Sequence, residues 1–392
     1  MGVVFLSRLI LDTGTRLIYP FIPQFSAGLG LTIVGFSWLI FFRAMAGMAS
    51  PAFGVLADRY GRRKIMAIGL LCQSGAVIGV AFSWQWWATL PMVLFGLSIA
   101  AFIPAGQAYI SDQARFERRG RALGTIEFSW ALTGIITLPI VGWLIDAFGW
   151  RAPLLGLSLL SLIGAVMIWL RLPAVERSTG SGISGKTVWD VCTRKNVIAS
   201  VGVALFFFVA LGAFITLWGI WLSADFGLNA IALGLVATLI GLAELTGAGL
   251  SALFIDRIGK RRGSIIGLAV LAIAFLVLPL AQYALFTALS VLIVLGVFTE
   301  FTIVSLLSLY AEQAPEARAT VFSLVGFGMS IGVASGSPIA ATLWDQSGLW
   351  PISLVATTTV VVALSLTIRF LYEHAAPQVV PGETQLQDVA AR

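Results

Sequence analysis

Histidine, cysteine and charged residues are scarce in this 392-residue chain, and each scarcity narrows the range of functions that the chain can have. The single histidine, His374, lies in a polar C-terminal stretch, and the two cysteines are far apart, at positions 72 and 192. We therefore expect no disulfide framework, no metal site and no histidine-based catalytic residue. We expect no cofactor.

Apolar side chains are what the chain has in abundance. They make up 59% of the residues, only 11% are charged, and the mean hydropathy is +0.97, so the solvent for most of the chain is lipid. About 20 helical residues cross a bilayer core. Segments of alternating polarity are absent, so the predicted fold is an all-α integral membrane protein. Twelve apolar stretches are long enough: about 3–25, 33–57, 65–83, 87–111, 121–145, 152–171, 197–223, 231–255, 264–281, 285–310, 319–343 and 351–371.

The basic residues outside these spans fall almost entirely on one side. They occupy loops 58–64, 112–121, 171–195 and 256–262, Arg318 and the stretch after Arg369. The alternate loops hold only Arg151, and most tryptophans lie at that opposite end as an aromatic belt. The positive-inside rule then predicts a multi-pass plasma (inner) membrane protein with both termini in the cytoplasm. The pI near 9.7 follows from this topology, and we expect no nucleic-acid binding.

The first span does not read as a cleavable signal peptide. It contains Arg8, Asp12 and Arg16, and Tyr19-Pro20 stands where a small-residue cleavage site is needed. Only seven residues precede Arg8, so a native start upstream of Met1 stays open.

Several landmarks of the chain recur about 200 residues later. "GVLADRYGRRK" at 54–64 returns as "ALFIDRIGKRR" at 252–262, and "PIVGWLIDAFGW" at 139–150 aligns with "PIAATLWDQSGL" at 338–349. A duplicated chain is the simplest explanation. We predict four segments: a six-helix bundle over 1–171, a Gly/Ser-rich cytoplasmic linker over 172–196, a second six-helix bundle over 197–374 and a polar cytoplasmic tail over 375–392.

These motifs resemble the major facilitator superfamily over nearly the whole chain. "GVLADRYGRR" is similar to its signature loop between the second and third helices, and "ALFIDRIGKRR" to the weaker second copy. "RLIYPFIP" in span 1 and "SDQARFERRGRALG" before span 5 are similar as well. The resemblance implies two pseudo-symmetric six-helix bundles that move a small molecule by alternating access. The protein would be a monomeric transporter and no enzyme, with the lipid bilayer and protons as its other partners.

The charged loop at the end of span 2 contains an acid that lipid topology does not explain. Asp58 lies at a helix C-terminus, where a negative charge is unfavourable unless donors surround it. The resemblance implies that Gly54, Asp58 and Arg59 dock span 2 against span 11 when the cavity opens outward. We include Gly61, which allows a tight reversal, and the related residues Arg62, Asp256 and Arg257 in this conformational latch. The alternative is a simple positive-inside loop, which accounts for the basic residues but not for Asp58.

Seven ionisable residues lie within the spans, where each is costly unless paired or hydrated. They are Arg8, Asp12, Arg16, Arg43, Glu127, Glu244 and Glu300. None lies in spans 3, 6, 9 or 12, which face lipid in the family that the chain resembles. We predict proton coupling by Asp12, Glu244, Glu300 or Glu127, and a substrate cavity that includes Arg8, Arg16, Tyr19 and Arg43.

The acids differ in their expected partners. Asp12 is spaced to pair with either Arg8 or Arg16, as a static pair or as a switchable one. Glu244 and Glu300 have no basic partner inside their own half, so each is expected to hold a proton or to pair across the cavity with Arg16 or Arg43. Glu127 lies near the end of span 5, where its side chain can reach the cytoplasm.

The leading functional hypothesis is proton-coupled export of small amphipathic compounds, suggested by Phe206, Phe207, Phe208 and Trp218 on span 7, although these aromatics fit simple packing equally well. Span 5 resembles the family's antiporter signature, with Pro139 as a predicted helix bend, but Leu138 and Trp143 replace expected glycines. The arginine usual in span 4 of drug exporters is Met92 here. Both departures weaken an export assignment, and proton-coupled uptake of a small anionic solute, held by Arg16 or Arg43, is the alternative. A polytopic enzyme acting on lipids is a second class, but the chain has no histidine, cysteine or metal cluster for its catalysis. A channel is a third class, disfavoured because a duplicated chain with a latch between its halves implies alternating access.

Overall fold

The computed structural model describes residues 2–113, 128–173 and 193–373. Throughout these ranges the regular structure is helical, and eleven helices are long and apolar enough to span a membrane. The helices of the first half are Gly2–Leu17, Ile22–Leu29, Ile33–Ala46, Ser50–Tyr60, Arg62–Phe82, Thr89–Gln113, Leu138–Phe148 and Arg151–Arg171. Those of the second half are Lys195–Phe226, Ala230–Ile258, Lys260–Val277, Leu285–Tyr310, Arg318–Ser347 and Leu349–Phe370.

Span 1 differs from its prediction as one continuous helix over 3–25. The structure ends the first helix at Leu17 and begins the next at Ile22 after a turn. Pro20 and Pro23 explain the break, because proline lacks the backbone N–H that continues a helix and its ring clashes with the preceding turn. The division leaves two shorter helices.

Prolines also change the helical geometry of spans 2 and 5. A 3-10 turn, Gly47–Ala49, precedes the helix that carries Pro51. A π-helical turn, Thr133–Thr137, directly precedes Leu138-Pro139. Proline at position 139 would push against the carbonyl of residue 135, and a wider turn relieves that contact. Span 5 is therefore wound more loosely just before Pro139.

Large apolar side chains point outward from spans 3, 6, 9 and 12. Examples are Phe82, Leu159, Ile273 and Leu354, each at least half exposed. In water such surfaces would be unfavourable, so they are the faces that contact lipid. Eleven membrane-length helices and these faces make the chain a multi-pass membrane protein.

The two halves touch at one end of the bundle. We call the end with loops 58–64 and 256–262 the basic face, and the opposite end the aromatic face. Near the aromatic face a Cβ on Gly142 would collide with the carbonyl oxygen of Ala230, and one on Gly219 with that of Pro20. The backbone N–H of Ile231 also donates to Asp146 Oδ2 at 3.3 Å. These contacts close the aromatic face.

The hydrophobic core follows the same asymmetry. The larger cluster of buried residues runs from Leu17, Phe25 and Leu138 in the first half into Phe207 and Leu233 in the second. A separate cluster, which includes Val4, Met66 and Phe102, is confined to the basic-face end of the first half. The halves therefore share a core near the aromatic face and have separate cores near the basic face.

Candidate functional site

The most direct polar link between the halves is an ion pair between spans 1 and 8. Arg16 Nη1 lies 2.7 Å from Glu244 Oε2, and Arg16 Nη2 donates to Glu244 Oε1 at 3.1 Å. Both side chains are largely buried, at 10% and 15% exposure. Two parallel N–H···O bonds fix the relative orientation of the guanidinium and carboxylate groups. The pairing of Glu244 with Arg16, expected across the cavity, is present.

Span 5 holds this pair from the side. The Arg16 guanidinium lies 4.7 Å from the centre of the Trp130 ring, and its Nη1 also donates to the Trp130 carbonyl at 3.1 Å. One turn further, a Cβ on Gly134 would lie 3.2 Å from Gly241 Cα and 3.5 Å from Arg16 Nη2. Glycines at both positions let spans 5 and 8 approach closely beside the pair. Trp130 was not among the predicted site residues; its position in mid-span, away from the aromatic belt, was the available signal.

A second ion pair lies within span 1. Arg8 Nε donates to Asp12 Oδ1 at 2.8 Å, and both side chains are buried. Asp12 Oδ2 accepts a 2.5 Å hydrogen bond from Ser129 on span 5. Of the two predicted pairings of Asp12, this conformation contains the one with Arg8, while Arg16 contacts Glu244. Nothing in the sequence distinguished Ser129 from the other serines.

Arg43 on span 2 is held differently from the other intramembrane arginines. Its Nη2 donates to Tyr19 Oη at 2.8 Å and its Nη1 to the Thr15 carbonyl at 3.2 Å. The guanidinium also lies 5.3 Å from the centre of the Tyr19 ring and 5.4 Å from that of the Phe95 ring. Arg43 is only 3% exposed, and its described contacts are with neutral groups. The cation is thus stabilised by carbonyl, hydroxyl and ring contacts.

The structure says less about the other two predicted acids, Glu300 and Glu127. Glu300 is half-buried on span 10, and the partners described above for Arg16 and Arg43 do not include it. Glu127 lies outside the described residues. Of the predicted cavity residues, Arg16 thus joins an acid of the second half, and Arg8, Tyr19 and Arg43 form contacts within the first.

The charged loop after span 2 is open in this conformation. Asp58 is 60% exposed and pairs only loosely with Arg62, at 3.6 Å. Arg62 also donates to the Ala108 carbonyl at 2.6 Å, and the Arg59 guanidinium lies over the neighbouring Tyr60 ring. A Cβ on Gly54 would meet nothing within 4 Å. The predicted docking surface of span 2 therefore stands clear at the basic face.

The two charged loops reverse direction in the same way. Gly61 has φ +97° and Gly259 has φ +94°, a backbone conformation that residues other than glycine rarely adopt. In the second loop Arg257 is exposed at the end of span 8, and Asp256 is helical, with a side chain outside the described part. The tight reversal predicted at Gly61 is thus found in both halves.

The aromatic residues of span 7 mostly pack within the protein. Phe207 and Trp218 are buried in the larger core cluster, and Phe206 and Phe208 are half-buried against it. Packing, the simpler alternative, accounts for these side chains, and they supply no independent evidence for an amphipathic substrate.

Comparisons with known proteins are consistent along the chain. A family model described as Major Facilitator Superfamily matches residues 4–220 and 200–391. The chain is 27% identical over 281 residues to the "Multi-drug resistance efflux pump PmrA homolog" of Lactococcus lactis, and the aligned region covers 68% of each protein. It is 26% identical over 293 residues to "Multidrug resistance protein MdtG" of Yersinia enterocolitica, over 70% of this chain and 69% of that one. The xylose transporter XylE from E. coli, solved in an inward open conformation, has a similar fold, with a TM-score of 0.78, 14% identity and 98% of each chain covered.

Proposed function

Since this chain belongs to the major facilitator superfamily and is a membrane transporter, not an enzyme, we propose that it exports small amphipathic compounds in exchange for protons. The observation that carries the proposal is the bidentate Arg16–Glu244 pair, which joins the two halves inside the membrane. Relatives named as multidrug efflux pumps support export. The substrate class and the direction are our inference.

We assign the basic face to the cytoplasm of a bacterial cell and the protein to its plasma membrane. The asymmetric distribution of basic loops supports this orientation. The conformation described here then opens towards the cytoplasm, which is the side from which an exporter takes its substrate. The transport path lies between two halves of one chain, so we infer that a monomer is sufficient.

Glu244 is the proton-binding group in this proposal. As a carboxylate it forms two charge-assisted bonds with Arg16 and holds spans 1 and 8 together. A proton on Glu244 removes its negative charge and weakens both bonds, and Arg16 keeps its contacts with Trp130. The pair then no longer opposes separation of the halves at the aromatic face. Proton binding thereby shifts the equilibrium towards the outward-open state, by the difference in pairing energy between the two states.

The experiment is transport of ethidium, a cationic amphipathic dye, into vesicles that contain the purified protein. Glu244→Gln mimics the protonated acid, so pH-driven accumulation should fall to that of protein-free vesicles while downhill exchange continues. Glu312→Gln, which removes a carboxylate that pairs with Lys260 outside the cavity, is the matched control and should accumulate dye like wild type. Glu300→Gln in the same assay measures how much Glu300 contributes to pH-driven accumulation.

Normal accumulation by Glu244→Gln would contradict the assignment. Asp12, exchanging Arg8 for Arg16, would then be the leading candidate for the proton site. Loss of both accumulation and exchange would instead indicate a damaged substrate path, and Glu244→Asp, which keeps the charge, distinguishes this case because it should restore exchange.

Uptake of a small anionic solute is the second candidate, and the environment of Arg43 favours it. This buried cation contacts neutral groups, and a bound carboxylate would complete its charge pairing. Benzoate is a suitable probe: pH-driven uptake of benzoate, lost in Arg43→Gln and retained in Glu312→Gln, would favour this function over export.

A further inference from the structure

A shallow groove lies on the second half near the basic face, away from the central ion pairs. Its volume is about 570 Å³, and it runs between the first turns of span 7 and the last turns of span 12. Its lining includes Lys195, Ile198, Gly202, Leu366, Arg369 and Phe370. The groove lies on the outer side of the bundle, because span 12 is one of the lipid-facing helices.

The floor of the groove is apolar and suited to a hydrocarbon chain. Gly202 keeps it open, since a Cβ at that position would lie 3.1 Å from Leu366 Cδ1. Ile198 is 57% exposed, and Leu366 and Phe370 on span 12 are half-buried. An acyl chain along this surface would cover side chains that the protein itself leaves uncovered.

The rim carries two cations that are not used elsewhere. Three other basic residues of this face are engaged: Arg63 donates to the Leu172 carbonyl at 2.9 Å, Arg261 donates to the Leu371 carbonyl at 2.8 Å, and Lys260 pairs with Glu312. Within the described ranges neither Lys195 nor Arg369 forms an ion pair. The Arg369 guanidinium lies 5.6 Å from the Phe370 ring centre, which keeps its charge at the mouth of the groove.

We propose that this groove binds an anionic glycerophospholipid from the leaflet at the basic face. Its phosphate lies between Lys195 and Arg369, and one acyl chain follows Ile198 and Leu366. Charge and apolar floor together select this class, because a zwitterionic lipid carries no net charge for the cations and a soluble anion has no chain for the floor.

The test measures phosphatidylglycerol binding to the purified full chain by native mass spectrometry, with phosphatidylcholine as the neutral competitor. We expect preferential retention of phosphatidylglycerol by wild type. Lys195→Gln combined with Arg369→Gln should weaken it by roughly thirtyfold, the effect of removing two cations near an anionic headgroup. Arg171→Gln is the matched control, because it removes an exposed arginine from the end of span 6, the corresponding helix of the first half. It should bind like wild type.

Three results would overturn the proposal. The first is unchanged phosphatidylglycerol binding in the double variant. The second is displacement of phosphatidylglycerol by glycerol 3-phosphate at equal concentration, which would identify a site for soluble anions. The third is a disulfide between Cys192 and a cysteine introduced by Leu366→Cys in vesicles of phosphatidylglycerol, which would show that the chain's own linker occupies the groove.

Discussion

Two ion pairs within the described parts of the membrane spans differ in what they connect. Arg8 and Asp12 are four residues apart on one helix, whereas Arg16 and Glu244 belong to different halves. A pair within one helix keeps its geometry when the halves move as bodies. A pair between halves must stretch, break or act as a pivot. The comparison therefore separates an ion pair that stabilises one half from one whose state can control the relation between both.

The largest effect is expected when the cross-half pair loses its cation. Arg16→Ala leaves the Glu244 carboxylate without its partner and should destabilise the aromatic-face-closed state by about 3 kcal/mol. The loss should shrink when Arg16→Ala is combined with Glu244→Gln, because a neutral amide no longer needs the guanidinium. Arg8→Ala is the control within one helix. Cysteine labelling at Ala230, which is 1% exposed at the closed aromatic face, reports opening in a background with serine at positions 72 and 192.

The comparison between the two pairs would fail if Arg8→Ala and Arg16→Ala increased labelling at position 230 equally. It would also fail if neither variant changed labelling, since the cross-half pair would then contribute nothing to closure.

An intermediate effect is expected from added volume beside the cross-half pair. Gly134→Ala places a methyl group 3.2 Å from Gly241 Cα and should destabilise the same closed state by about 1–3 kcal/mol. Gly156→Ala is the matched control, because a Cβ there meets nothing within 4 Å on the lipid-facing span 6. The control should be neutral or slightly stabilising, since alanine favours helix over glycine. Thermal unfolding in detergent measures both, and equal destabilisation by the two variants would count against close approach at Gly134.

The smallest effect on this conformation is expected at the charged loop. Asp58 is mostly exposed and its ion pair with Arg62 is long, so Asp58→Asn should change unfolding by less than about 0.5 kcal/mol. Transport should nevertheless slow, and labelling of a cysteine at Val55 should rise, because the outward-open state loses its latch. Lys64→Gln removes a charge from the same loop without removing the acid and should behave like wild type. A latch at Asp58 is untenable if both labelling and transport in Asp58→Asn match wild type.

Much of the fold was predictable because lipid imposes simple rules on sequence. The apolar stretches predicted the membrane-length helices, and the repeated motifs predicted two halves. The errors lie where proline changes helix geometry. Pro20 and Pro23 were visible in the sequence, but hydropathy averages over them, so span 1 was predicted as one helix and is two.

The site was predictable in its parts and not in its pairings. Intramembrane cost alone singled out Arg16 and Glu244, whose partnership depends on how span 8 packs against spans 1 and 5. Neither Ser129 nor Trp130 carries a charge, so the same rule could not find them. The latch role proposed for Asp58 belongs to a second conformation, and a sequence contains no direct record of which contacts form in which state.

The charged loop of each half is hydrogen-bonded to the end of that half's last helix, and this link has a mechanical consequence. Arg63 bonds to the carbonyl of Leu172 and Arg261 to that of Leu371, so the basic end of each half is tied across its own bundle. In the proposed transport cycle, each half turns as a stiff lever about contacts near mid-membrane. A helix of 26 residues such as Leu285–Tyr310 extends about 20 Å to either side of its centre. Displacement grows with distance from the point of rotation, so in that cycle a small change in the geometry of the Glu244 carboxylate near the centre produces a larger movement at the ends of the helices.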